Sequence, residues 1–351
     1  MKIIGCIMEI NPPHLGHQYF LEQIDKKDDD LLVVVVSGVL TQRGDISVIN
    51  KHDKAQFLLD MGADIVINLP SILANQGGYY FAKHAINLLK QFKITDLYFG
   101  SETNDLEYLL TLSNITNDHN FQQGIYKNQF MELKSNDILG ISYLRNISDT
   151  NITPHLIKRI NNLYNQNTKS AGTIQSATFI RNHLDDSETR YFVADGIFDK
   201  IKVINNEFIL PLLITNLDYA LHNDLNIFLS ENKELLYKLD YYIKNNSNYS
   251  LDTLIKDCSD KNNSVHKLRR LINNIIFLVD SNQVHNSNYY LHVLGLTDLG
   301  RKYIKDNKID IVTSLKNNDN YIANKEIMIG KLYQTLTNEE YHQDFIKPII
   351  K

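Results

Sequence analysis

Short apolar runs alternate with amphipathic ones along the first hundred residues. "KIIGCIM" (Lys2 to Met8) is apolar and β-branched, and a Pro-rich stretch and an amphipathic segment follow it through Ile24. "DLLVVVVSG" (Asp30 to Gly38) is Val-rich and ends on glycine. "KHDKAQFLLDMGA" (Lys51 to Ala63) spaces Ala55, Leu58 and Leu59 at helical intervals, with Gly62 as a stop. "DIVINLP" (Asp64 to Pro70) is a third apolar run. "YFAKHAINLLKQF" (Tyr80 to Phe92) puts Phe81, Ala85, Leu88, Leu89 and Phe92 on one helical face. "TDLYFGSE" (Thr95 to Glu102) is a fourth run. Apolar runs this short read as buried strands. Strands alternating with helices predict an α/β protein with a Rossmann-like, doubly wound parallel sheet. Ligands of such sheets bind beyond the carboxyl ends of the strands. "NPPHLGH", "SGVLTQRGD", "NLP" and "FGSE" each follow a strand, so all four are expected along one rim.

The pattern weakens and turns Asn-rich from Leu106 to Phe130. "NDILGISYLRNI" (Asn136 to Ile147) predicts a helix and "TPHLIKRI" (Thr153 to Ile160) a fifth strand. "AGTIQSATFIRNHL" (Ala171 to Leu184) reads as a loop opening into a helix at Ser176. Spacing of Leu, Ile and Tyr from Phe208 to Leu278 predicts several helices. A length of 351 residues suits two domains. We expect an α/β domain over 1–190 and a mainly helical domain over 191–351.

Composition narrows the class. Hydrophobic content of 43% and charged content of 22% fit a soluble globular protein. A net charge of −5 argues against a general polyanion binder but leaves room for a local basic patch. Cys6 and Cys258 are far apart and suggest neither a disulfide framework nor a zinc site. The run from Leu31 to Val36 is too short to span a bilayer, and the N-terminus lacks the pattern of a secretory signal. A cytoplasmic protein with no membrane partner is expected.

His14 and His17, three apart with Gly16 between them, stand where the first strand turns into a helix. A helix N-terminus offers unpaired N–H groups and attracts phosphate. Glycine would let a phosphate approach the backbone, and the histidines could donate to its oxygens. The plainer reading is a Pro-rich turn with two exposed histidines. In "SATFIR", Ser176, Thr178 and Arg181 could clamp phosphates from the opposite side, while Ser176 is equally an ordinary N-cap. No carboxylate cluster announces a dedicated metal site.

The HxGH element after the first strand and the later SxTxIR element resemble the signature of HIGH-type nucleotidyltransferases. An ordered set of stretches is similar to one group in particular, the bacterial tRNA(Met) cytidine acetate ligase family. These are "EINPPHLGHQYFL", "VSGVLTQRGD", "KAQFLLDMGADIVINLP", "FAKHAINLLKQF", "LYFGSE", "SNDILGISYL", "IKRI" and "IQSATFIR", with "YLHVLGLTDLGRKYIK" near the end. The resemblance implies activation of acetate by ATP to acetyl-adenylate, then acetyl transfer to N4 of the wobble cytidine of elongator tRNA(Met). It implies that Ile7, Met8, Glu9, Ile10, Asn11, Pro12, Pro13, Leu15, Gly16, Gln18, Tyr19 and Phe20 hold ATP, with His14 and His17 on its phosphates. Gly100, Asn136 and Arg159 would contact the nucleotide, and Ser176, Thr178 and Arg181 would complete the clamp. Arg43 is either a substrate contact or an ordinary surface arginine. Mg²⁺ is expected with ATP.

Two departures from that family stand out. The segment between Glu102 and Ser135 is shorter. The basic, aromatic stretch of the family reads here "KDCSDKNNSVHKLRRLINN" (Lys256 to Asn274), where Lys267, Arg269 and Arg270 form either a tRNA contact or a solvated helix face. The competing functions are an adenylyltransferase for a small phosphorylated metabolite and an RNA-binding relative that has lost its chemistry.

Overall fold

The computed structural model describes residues 1–114, 133–160, 174–204, 206–223, 225–227, 233–340 and 342–351. Most of the Asn-rich stretch after Leu106 and the loop start at Ala171 lie outside them.

Five parallel strands form the body of the sheet: β1 (Ile3–Met8), β2 (Leu31–Ser37), β3 (Ile65–Leu69), β4 (Asp96–Ser101) and β5 (Thr153–Lys158). With β6 (Val293–Leu296) and β7 (Ile349–Ile350) the order is β5-β4-β1-β2-β3-β6-β7. The order reverses direction beside β1, which opens a crevice at the carboxyl ends of β1 and β4. Successive side chains of a strand point to opposite faces. Leu31, Val33 and Val35 therefore join one core under the helices Gly78–Gln91 and Ser135–Ile147. Leu32, Val34 and Val36 join a second core with the helices Leu15–Glu22 and Lys51–Asp60. Both faces are covered, which explains why these strands are continuously apolar rather than alternating. The α/β, doubly wound class expected from the sequence is what the chain adopts.

Helices dominate after residue 208: Ile209–His222, Lys233–Asn245, Leu251–Cys258 and Val265–Ile276. The chain then returns to the sheet. β6 pairs antiparallel with β3, and β7 pairs parallel with β6. The change of pattern near residue 190 is thus not the end of the sheet. Four residues of strand inside a mostly helical stretch give too short a signal for periodicity to find. Among the described residues, no helix is long and apolar enough to cross a membrane.

Two buried lysines, one turn apart on Lys51–Asp60, hold the rim together. Lys54 Nζ donates to the carbonyls of Ser37 at 2.9 Å, Gly38 at 3.0 Å and Glu9 at 3.2 Å. It thereby ties the ends of β1 and β2, and burial pushes its ammonium down to about 7. Lys51 pairs with Glu326 and Asp344 from the C-terminal part of the chain.

Candidate active site

The turn after β1 is built around its two histidines. His14 is the N-cap of Leu15–Glu22; its Nδ1 accepts from the Gly16 N–H at 3.0 Å. The His17 Nδ1 accepts in turn from the His14 N–H at 3.2 Å. This is a capping box made of imidazoles, with the two rings 3.8 Å apart between centroids. Each Nδ1 is an acceptor, so each neutral ring carries its proton on Nε2. Burial pushes His14 down to about 3, with Arg159 and Arg181 adding repulsion. His17 is pushed well below its ordinary value by burial, then by His14, Arg159 and Lys54. Both histidines are therefore neutral Nε2–H donors at physiological pH.

Gly16 is glycine for a steric reason absent from the sequence reading. A Cβ there would lie 2.8 Å from Cε1 and 2.9 Å from Nδ1 of the His14 ring. The bare α-carbon makes room for the imidazole that caps the helix. Gly16→Ala is expected to displace His14 and lower ATP-dependent turnover about tenfold or more, because misplaced reacting groups lose rate steeply. Steady-state kinetics at varied ATP, with circular dichroism to verify the fold, tests this.

The second element meets the first from across the crevice. Ser176 caps the helix Ala177–Asn182 by accepting from the Phe179 N–H at 3.1 Å. One turn on, Arg181 donates to the Asn11 carbonyl at 2.7 Å, to Asp45 Oδ2 at 3.1 Å and to Thr178 Oγ1 at 3.4 Å. The chain after this helix comes back over the histidine turn, where the Ala194 N–H donates to the Pro13 carbonyl. At the end of β4, Asn136 Nδ2 donates to Glu102 Oε1, and Arg159 donates to Asn136 Oδ1 at 3.4 Å.

A cavity of about 390 Å³ results, within the usual range for a small-ligand site. Of the residues singled out from the sequence, Glu9, Ile10, Asn11, His14, His17, Arg43, Asn136, Ser176, Thr178 and Arg181 line it. Gly100 and Arg159 do not; the Arg159 side chain lies over Gly100, 3.5 Å from where a Cβ would stand. Ile7 and Met8 finish β1. Pro12 and Pro13 are buried in the turn, while Gly16 lies under the His14 ring. Leu15, Gln18, Tyr19 and Phe20 belong to the following helix, with Tyr19 and Phe20 packed on the second core.

Sequence reasoning named Arg270 without placing it here and missed Ser264 and His266, which with it form a third wall. Ser264, His266 and Arg270 line the same cavity from the helix Val265–Ile276 and its cap. Arg270 donates to the Gln42 carbonyl at 3.0 Å, and Arg269 pairs with Asp45. Asn273 Nδ2 donates to the Gly44 carbonyl at 3.0 Å. Gly44, at φ +80°, lets the "TQRGD" turn lie flat on this helix; a Cβ would meet Arg269 Cβ at 2.7 Å. The "KLRR" arginines are thus not simply a solvated helix face. They grip the turn after β2. The apolar stripe of the helix was readable; its partner, more than two hundred residues earlier, was not.

The neutral state of His14 carries a stability consequence. Its folded value of about 3 lies below the ordinary 6.5. Its contribution is present above pH 6.5 and is lost as pH falls toward 3. At pH 5 that loss is about 2 kcal/mol. His14 thus lowers the wild-type urea midpoint between pH 7.5 and pH 5, while Asp344 acts in the opposite direction. His14→Asn, which can still cap through its side-chain oxygen, should fall less over the same interval.

The chain is similar to known proteins over almost its whole length. The model of the HIGH Nucleotidyl Transferase family matches residues 1–132 and 123–346. The tRNA(Met) cytidine acetate ligase of Fusobacterium nucleatum is 30% identical, over 97% of this chain and 91% of its own length. That of Thermosipho africanus is 28% identical, over 100% of this chain and 99% of its own. A crystal structure of Thermotoga maritima TmcAL bound with alpha-thio ATP superposes with a TM-score of 0.82 at 25% identity. It covers 100% of this chain and 99% of that one. The apo form of the same protein gives 0.84, with the same coverage.

Proposed function

The chain belongs to the tRNA(Met) cytidine acetate ligase family of HIGH nucleotidyl transferases, and from that premise we propose how its residues carry the reaction. The enzyme activates acetate with ATP and transfers the acetyl group to N4 of the wobble cytidine of elongator tRNA(Met). One observation carries the assignment of residues: a single cavity receives His14 and His17 from the end of β1 and Thr178 and Arg181 from a helix far along the chain.

ATP lies with its phosphates between these two elements. An acetate oxygen attacks the α-phosphorus, and the bond to pyrophosphate breaks. The Nε2–H groups of His14 and His17 donate to the charge that grows on the leaving oxygens, and Arg181 neutralises it from the other side. Asp45 and the Asn11 carbonyl hold the Arg181 guanidinium in one orientation, so little reorganisation is needed. In the second step N4 attacks the acetyl carbon, the bond to AMP breaks, and N4 gives up a proton. Mg²⁺ would arrive bound to the ATP phosphates and neutralise them. Among the described residues, no group of three or more His, Cys, Asp or Glu side chains could hold a metal ion. The protein works in the cytoplasm, where tRNA is modified.

ATP–pyrophosphate exchange on RNA-free protein tests the first step. Exchange that requires acetate is expected, followed by acetyl transfer from acetate to tRNA(Met). Exchange that requires a phosphorylated metabolite instead would overturn the reading in favour of a metabolite adenylyltransferase.

A further inference from the structure

Arg181 and Asp45 face two cavities at once. Beyond them, away from the histidines, lies a second cleft of about 190 Å³. Asp45, Arg181 and Arg269 form its charged wall on the side of the ATP cavity, Asp252 adds a second carboxylate, and its apolar walls include Ile46, Leu251 and Ile272. A volume below the roughly 300 Å³ of ordinary ligand pockets suits one ring rather than a nucleotide. Apolar walls with a few convergent polar groups are what an enzyme uses to hold a base taken out of its stack.

The reaction read above needs such a place beside the ATP cavity. N4 of a cytosine must reach an acetyl carbon carried by AMP, so the base has to bind next to the clamp around Arg181. We propose that this second cleft holds the splayed-out wobble cytosine, with its N4 edge toward Asp45. The proposal rests on the acetyl-transfer reading and adds the base-reading subsite to it.

The chemistry is complementary. A carboxylate accepts from the N4 amine of cytosine. Each Asp45 oxygen takes one arginine hydrogen bond and keeps lone-pair capacity for another. Arg269 gives one guanidinium nitrogen to Asp45, and its other N–H groups can donate to N3 and O2 of the base. Uracil would present O4, an acceptor, to the same carboxylate and would be repelled. The wall that orients Arg181 on the phosphates would thus also choose the base.

The test uses the full-length protein and anticodon stem-loops of tRNA(Met) that differ only in C or U at the wobble position. Wild type is expected to bind the C loop about tenfold or more tighter than the U loop. Leu251→Trp fills the cleft from the first, half-buried position of its helix. It should erase that difference and lower acetyl transfer about tenfold or more relative to acetate-dependent exchange. Ile204→Phe, at a second half-buried wall position, repeats the test should the first variant misfold. Equal binding of the two loops by wild type would overturn the proposal. So would transfer that falls no further than exchange in the variants. Wild type without acetate-dependent exchange would overturn the acetyl-transfer reading itself, a separate result.

Discussion

His17→Ala will lower acetate-dependent ATP–pyrophosphate exchange by about two to three orders of magnitude. Removing one preorganised donor from charge that develops in a transition state costs roughly that much. His17 fits the role because its proton position is fixed. The His14 N–H occupies Nδ1, burial keeps the ring neutral, and Nε2–H is left as the donor. Alanine also removes the acceptor for the His14 N–H and the ring packed against that of His14, so two companions separate the effects. Asparagine reaches about as far as Nδ1 and can restore the cap. Glutamine reaches about as far as Nε2 and can restore a donor. The expected order of exchange is wild type, then glutamine, then asparagine and alanine together. Wild-type exchange by the asparagine variant would show that the Nε2–H does not act on the phosphates.

Much of the fold was readable because its strands are buried on both faces. The runs Asp30 to Gly38 and Asp64 to Pro70 each bracket the observed strand within one residue at either end. Local chemistry also carried the Ser176 cap and the "NDILGISYLRNI" helix, observed as Ser135–Ile147. Contacts between distant segments were illegible. Asp45 and Arg269 are 224 positions apart, and nothing local to either marks the other as its partner. β6 was hidden for a related reason: four residues become a strand only because the edge of β3 is there to pair with them. The likeness of "TQRGD" to a family element drew attention to Arg43, which lines the cavity, but not to Asp45 two positions on, which ties the turn to Arg181 and Arg269.

Lys51→Met will be the most destabilising of three substitutions in one buried cluster, at about 3–5 kcal/mol. Lys51 Nζ is fully buried between Glu326, at 3.0 Å, and Asp344. Glu326 is bound on both oxygens, accepting also from Asn68 Nδ2 at 2.9 Å and the Ser71 N–H at 2.6 Å. These donors and Lys51 hold it ionised. Asp344 differs: burial pushes it up to about 7, and its Oδ2 has no hydrogen-bond partner. Near neutral pH Lys51 therefore faces an ionised Glu326 and an Asp344 that burial makes easy to protonate. Removing Lys51 strands Glu326 as a buried anion with only the Asn68 and Ser71 N–H groups left to compensate it. Glu326→Gln costs less, because Asp344 can ionise and replace it as the counter-ion. Asp344→Asn costs least, since it removes a group that was poorly satisfied. The order of urea midpoints should thus be wild type, D344N, E326Q, K51M. The sign with pH follows from Asp344: its folded value lies above the ordinary 3.8, so its contribution is present below that value and is lost as pH rises through about 7. D344N should remove that part of the pH dependence. The cluster joins the helix after the "TQRGD" turn to the helix Tyr321–Thr337 and the C-terminal segment. K51M should therefore lower a single cooperative transition. Two separate transitions, or a D344N loss as large as that of K51M, would contradict this account of how the last part of the chain is anchored to the rim that carries the site.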